Sequence, residues 1–136
     1  MMISTKGRYA LRVMIDIAEH SAGEYVPLKD IAERQGISQK YLEQVIALLG
    51  RAELVSGLRG TGGGYRLTRD ASEYTAGEIL YAVEGSLAPI ACLKDKPNAC
   101  PRSSDCATLP FWEGYYKVIS DYVDGVKLSD MIKKPR

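Results

Sequence analysis

The most restrictive feature of this chain is a pair of short helical patterns joined at Gly36 and followed at once by a glycine-rich hairpin. Pro27 suits the first turn of a helix. Leu28, Ile31 and Ala32 supply its apolar stripe, and Gly36 ends it. Ser38 is a good N-cap for the next helix, from Gln39 to about Ala52. That helix buries Leu42, Val45, Ile46 and Leu49 and exposes Lys40, Glu43, Gln44, Ala47 and Arg51. Ala32, Gly36, Leu42 and Val45 have the spacing of a helix-turn-helix. A small residue sits where the helices cross, glycine relieves the turn, and later apolar residues lock the second helix onto the first. Such a pair offers Lys40, Glu43, Gln44 and Arg51 to the major groove of DNA. There glutamine can bond adenine, and glutamate can accept from cytosine N4. Any helical hairpin with a glycine turn shares this spacing, so the pair alone leaves both readings open.

Two strand-like runs, Leu54–Leu58 and Tyr65–Thr68, flank Arg59-Gly60-Thr61-Gly62-Gly63-Gly64. A phosphate-cradling loop would follow a strand and open a helix, and a P-loop would end in Gly-Lys-Ser/Thr. Here Gly64 leads into a second strand pattern without that lysine, which excludes such a loop. A hairpin directly after a recognition helix is instead the wing of a winged helix. Arg59 at its base suits a narrow A·T minor groove, where negative potential concentrates. Arg66 suits a phosphate.

Charge supports the same surface. The chain carries a net charge of +1, yet Arg34 to Arg69 holds six basic and two acidic residues while the remainder is slightly acidic. That asymmetry fits a local DNA-facing patch. An ordinary solvated surface would also accommodate it.

Elsewhere the pattern is mainly helical. Tyr9, Val13 and Ile17 give a first helix from about Thr5 to Glu19. Thr75-Ala76-Gly77-Glu78 is a capping-box pattern that opens a helix ending at Gly85. Leu87 to Pro110 lacks periodicity and reads as a functional loop. A long amphipathic helix spans Phe111 to Val126, with Phe111, Tyr115, Ile119, Tyr122 and Val126 as its stripe. The fold class is therefore mainly α with a small β-hairpin. A winged helix-turn-helix domain over 1–85 is followed by a cysteine-containing loop over 86–110, then by a dimerisation helix and tail over 111–136. The stripe and the two-fold symmetry of operators point to a homodimer.

With 136 residues, 46% of them hydrophobic, the chain can fill one core. It lacks the roughly 20 consecutive apolar residues of a membrane span, and no export signal is read in its N-terminal stretch. A cytoplasmic protein is expected. In that reducing compartment the three cysteines suit metal or redox chemistry better than disulfides. Cys92, Cys100 and Cys106 lie in one loop, and three thiolates there can converge on an iron–sulfur cluster or zinc. Incidental free thiols would look the same. His20, at the end of the first helix, reads as a helix C-terminal cation rather than a ligand. No catalytic dyad has credible spacing, so an enzyme is not expected.

Three stretches closely resemble the IscR-type family of winged-helix regulators. They are Ser4-Thr5-Lys6-Gly7-Arg8-Tyr9-Ala10; Gly36-Ile37-Ser38 with Tyr41-Leu42-Glu43-Gln44; and Leu54-Val55 with Arg59-Gly60 and Gly62-Gly63-Gly64-Tyr65. The resemblance runs nearly end to end. It implies a dimer joined by the long C-terminal helix and an iron–sulfur cluster held in the preceding loop, a [2Fe–2S] centre in favour of [4Fe–4S]. Cluster-assembly proteins become possible partners, and genes of cluster biogenesis the natural targets. It also implies that Tyr41, Glu43, Gln44 and Arg59 occupy DNA-reading positions. The candidate DNA-contacting set is then Ser38, Gln39, Lys40, Tyr41, Glu43, Gln44, Arg51, Arg59 and Arg66. The candidate metal set is Cys92, Cys100 and Cys106. One departure stands out. The family's cluster-binding member has a histidine three residues after its last cysteine, where this chain has Leu109. Asp105, Glu113, Glu43, solvent or a group from a partner subunit are the open choices for a fourth ligand. The family also contains cluster-free repressors of cysteine metabolism and nitric-oxide sensors, which are the alternative functions.

Overall fold

The computed structural model describes residues 3–94 and 104–132. Six helices are found there: α1 Thr5–His20, α2 Leu28–Gln35, α3 Gln39–Arg51, α4 Ala76–Glu84, α5 Leu109–Gly125 and α6 Leu128–Met131. One antiparallel hairpin, β1 Val55–Leu58 with β2 Gly64–Leu67, stands between α3 and α4. Val55 pairs with Leu67 and Leu58 with Gly64. Single 3-10 turns occupy Ala71–Glu73 and Ala91–Leu93. The winged helix-turn-helix is therefore present in the expected order.

Local chemistry explains the boundaries. Ser4, Ser38 and Thr75 each cap a helix by accepting from a backbone N–H three residues on. Gly36 ends α2 at φ 64°, a left-handed conformation that glycine adopts without a Cβ penalty. Pro27 is the extended residue before α2 rather than part of its first turn. Thr75 makes its half of the expected capping box, but Glu78 does not reach back. Its carboxylate accepts from Arg69 instead.

The core lies where α1, α3 and α4 meet beneath α2 and the hairpin. Val13, Met14, Ile17, Ile31, Leu42, Val45, Leu49 and Ile79 are fully buried there. Tyr74 joins them, and its hydroxyl closes the base of the hairpin. It donates to the Leu54 carbonyl at 2.8 Å and accepts from the N–H groups of Thr68 and Arg69 at 2.9 and 3.0 Å. The buried phenol thus satisfies three backbone groups at once, as burial requires.

The C-terminal region departs from expectation. The long helix starts at Leu109, with Pro110 in its first turn. Part of the expected loop is therefore helix. The chain turns at Val126, pairs Lys127 with Thr75 and adds α6. Leu128 is completely buried within the winged domain's core. Gly77 permits the crossing of α4 by α5, because a Cβ there would meet Asp124 and Val123.

Candidate nucleic-acid interface and cysteine site

The recognition helix α3 is presented by its packing. Leu42, Val45, Ile46 and Leu49 hold it to the core, and Lys40, Glu43, Gln44 and Arg51 are exposed on its other side. Ser38 and Gln39 are exposed at its N-terminus. Tyr41 is half-buried, its ring edge-on to Tyr9 of α1 with centroids 5.7 Å apart. Tyr9 is itself covered by the Arg12 guanidinium, 5.0 Å from its ring centre, and Arg12 donates to Gln35 at its side chain and carbonyl. A cation–aromatic stack therefore links α1, the end of α2 and the start of α3. The sequence pattern assigned Tyr9 only to an apolar stripe. An arginine three residues after an aromatic on the same helix face was the available signal.

The wing is fixed to the body by the strand-like link before α2. Val26 and Tyr65 exchange two backbone hydrogen bonds, of 2.7 and 2.8 Å. Gly64, just before Tyr65, has φ 144°, and a Cβ there would strike the Val26 carbonyl. Arg66 stacks over the Tyr25 ring at 4.6 Å and remains exposed. Arg59 is exposed directly after β1, at the start of the glycine turn.

Two basic residues of the charged stretch are paired with carboxylates of the fold. Arg34 donates through Nε and Nη2 to the carboxylate of Asp16 at 3.0 and 2.7 Å, and Asp16 is buried on α1. Gln35 adds a third bond to the same carboxylate, at 2.8 Å. Arg69 bonds Glu78 and the Glu73 carbonyl and lies over Tyr74. The carboxylate bonds raise the pKa of both guanidinium groups. The exposed cations of the stretch that stand outside these ion pairs are Lys40, Arg51, Arg59 and Arg66, all of them in the expected DNA-contacting set.

Cys92 sits in the 3-10 turn Ala91–Leu93, and Cys106 lies just before α5; both are free thiols and partly exposed. Cys100 falls outside the described residues. Cys106 lies 3.5 Å from the Thr108 hydroxyl, and hydrogen bonding by Thr108 pulls its pKa below the usual thiol range. That favours the thiolate, the form that binds metal. No group of three or more metal-ligating side chains converges among the described residues. Leu109 is half-buried in the first turn of α5, while Asp105, Glu113 and Glu43 are exposed.

On α5 the expected stripe divides into two. Phe111, Tyr115, Val118 and Tyr122 are exposed, at 64%, 45%, 70% and 71%. Trp112, Tyr116, Ile119 and Val123 form the half-buried side, in a helix that packs on α4. Burial and the neighbouring Tyr81 push the Tyr116 phenol above its usual range. Ile119 thus belongs with the inner face, and Val118 takes its place on the outer one.

The profile of Rrf2, an iron-dependent transcriptional regulator, matches residues 3–134, almost the whole chain. The chain belongs to the Rrf2 family. Among relatives, it is 41% identical over 133 residues to the HTH-type transcriptional regulator IscR of Vibrio campbellii, covering 98% of this chain and 78% of that protein. Its fold is similar to that of T. potens IscR, with a TM-score of 0.76 at 39% identity over 96% of this chain and 85% of the other. It is also similar to CymR, the global cysteine regulator of B. subtilis, with a TM-score of 0.77 at 34% identity over 96% and 95% of the two chains. An Rrf2 protein of this kind is a DNA-binding transcriptional regulator of winged-helix fold, and the IscR relatives are named transcriptional regulators. Among the described residues no helix is long and apolar enough to cross a membrane.

Proposed function

We propose that this Rrf2 regulator is a cytoplasmic homodimer whose choice of DNA site depends on an iron–sulfur cluster, and that it controls genes of cluster biogenesis. The observation that carries this reading is the placement of two free, partly exposed thiols, Cys92 and Cys106, on the segment joining α4 to α5. They lie in a family described as iron-dependent. Cys92, Cys100 and Cys106 would hold the cluster, with [2Fe–2S] favoured over [4Fe–4S]. Soft thiolates suit iron–sulfur chemistry. The depressed Cys106 pKa agrees with a ligand that must be deprotonated. When bound, the cluster supplies a redox- and supply-sensitive anchor between the winged domain and α5. Leu109 offers no donor, so the fourth ligand comes from Asp105, Glu113, Glu43, solvent or the partner subunit. Proteins of cluster assembly are the natural donors.

On DNA, Ser38, Gln39, Lys40, Tyr41, Glu43, Gln44 and Arg51 would meet the major groove. Arg59 would enter the flanking minor groove, and Arg66 a phosphate. Two copies joined through the outer face of α5 would bring two recognition helices to one two-fold operator.

Anaerobic purification with iron and sulfide analysis and a visible spectrum tests the cluster. Each of Cys92→Ala, Cys100→Ala and Cys106→Ala should remove most of the absorbance while the protein stays folded and keeps DNA binding of altered preference. Leu109→His should prolong cluster survival in air. A colourless, metal-free protein made anaerobically would favour a cluster-free cysteine-responsive repressor. That reading has the support of the CymR-like fold but the lower identity of the two.

A further inference from the structure

The motif Ser4-Thr5-Lys6-Gly7 is absorbed by none of the DNA or cysteine chemistry above, yet the structure gives it one partner. The Glu84 carboxylate, at the last residue of α4, sits on the N-terminus of α1. Its Oε1 accepts from Ser4 N at 3.0 Å, from Gly7 N at 3.1 Å and from the Ser4 hydroxyl. The first N–H groups of a helix have no partner within it, and a carboxylate there also meets the positive end of the helix dipole. Gly7 is buried, and a Cβ on it would strike Glu84 Oε1 and Ile3. Glycine at position 7 is therefore the condition for seating the carboxylate.

Both sides of this contact lead somewhere. Tyr9 follows Gly7 by two residues and carries the edge-on contact to Tyr41 at the start of the recognition helix. Gly85, at φ 79°, follows Glu84 and opens the segment to Cys92. Leu87 is buried there. An open cavity of about 290 Å³ lies under that segment, lined by Glu84, Ser86, Pro89, Ile90 and Lys94 among others. We propose that Glu84 is a positioning residue for DNA reading. It holds the first turn of α1, and through Tyr9 the ring of Tyr41, in the geometry the operator selects. A displacement of the 86–94 segment reaches the recognition helix through this carboxylate.

The proposal rests on DNA reading by α3 but not on what the cysteines hold, so it is tested on cluster-free protein. An operator is first selected from random duplexes by the wild type. Affinities are then compared for that operator and for an unrelated duplex of equal length at one salt concentration. Glu84→Ala should lower the ratio of the two affinities about tenfold, within the range typical of coupled sites, with affinity for the unrelated duplex unchanged. Glu84→Gln, which keeps an acceptor oxygen in place, should restore most of the ratio. Gly7→Ala should reproduce the Glu84→Ala loss by displacing the carboxylate, although alanine is the better helix former. That variant keeps the test open if Glu84→Ala fails to fold. Ser4→Ala combined with Glu84→Ala should be no worse than Glu84→Ala alone, as expected of groups acting through one contact. An unaltered affinity ratio in Glu84→Ala or Gly7→Ala overturns the proposal, even if the melting temperature falls. So does full additivity of the Ser4 and Glu84 substitutions. A wild type that selects no operator at all overturns the DNA-reading assignment instead.

Discussion

Asp16 and Arg34 form a two-bond ion pair that ties the inside of α1 to the last turn of α2, with the Asp16 side chain fully buried and that of Arg34 one-third exposed. An arginine from the basic stretch is thereby used to hold α2, the first helix of the helix-turn-helix, against α1. Gln35 completes the carboxylate's bonds, which makes the buried charge tolerable.

Removing one partner should then cost fold stability. Asp16→Ala is expected to lose about 2–3 kcal/mol, less than the 3–5 typical of fully buried pairs because Arg34 remains partly hydrated. Asp16→Leu combined with Arg34→Met should lose less than Asp16→Ala, since no charge is left unpaired. Urea unfolding measures both. A double variant no more stable than the single would show that packing, not the buried charge, dominates there.

Tyr74→Phe keeps the buried ring and removes one hydroxyl. Three backbone groups at the foot of the wing then lose their partner. An expected cost of about 2–4 kcal/mol follows from unsatisfied buried polar groups. Hydrogen exchange should accelerate most at the Thr68 and Arg69 amides. Uniform acceleration across the domain would mean that the hydroxyl acts on global stability alone.

Arg59→Ala and Gln44→Ala should be distinguishable on DNA. The first removes an exposed cation from the wing and is expected to cost about 1–3 kcal/mol, chiefly at operators with an A·T-rich flank. The second removes a base-edge donor and acceptor and should relax preference at one base position. Binding titrations on a set of single-base operator variants check both. Equal losses for Arg59→Ala on every sequence would reassign it to a phosphate.

The exposed outer face of α5 predicts how the proposed dimer is broken. Val118→Glu with Tyr122→Glu should give folded monomers with weak operator binding, because both side chains are about 70% exposed in the single chain. Ile119→Glu should instead lower the melting temperature, since Ile119 is half-buried on the inner side of the helix. Sedimentation equilibrium and thermal melts separate the two effects. Dimers unchanged by the outer pair would locate the interface elsewhere.

The helix starts and stops around the turn were legible residue by residue. Ser38, Gly36, Thr75 and Gly85 act within a few positions of themselves, through caps and backbone conformation that need no distant neighbour. The apolar spacing of α3 likewise determined which side is buried and which residues are left exposed. The same local logic made the wing readable from Arg59 to Tyr65, and it placed Cys92, Cys100 and Cys106 together in one stretch without helical periodicity. Only the tertiary structure decided which charges are free, because Arg34 and Arg69 are separated from Asp16 and Glu78 by 18 and 9 residues. Pattern along one helix carries no information about a carboxylate on another. It also decided that Leu128 folds back into the winged domain and that Val118, not Ile119, belongs to the outer face of α5. A helical stripe wide enough to touch two neighbours divides between them according to where each neighbour lies, and that direction is set by the packing of α4 and α5 around Gly77.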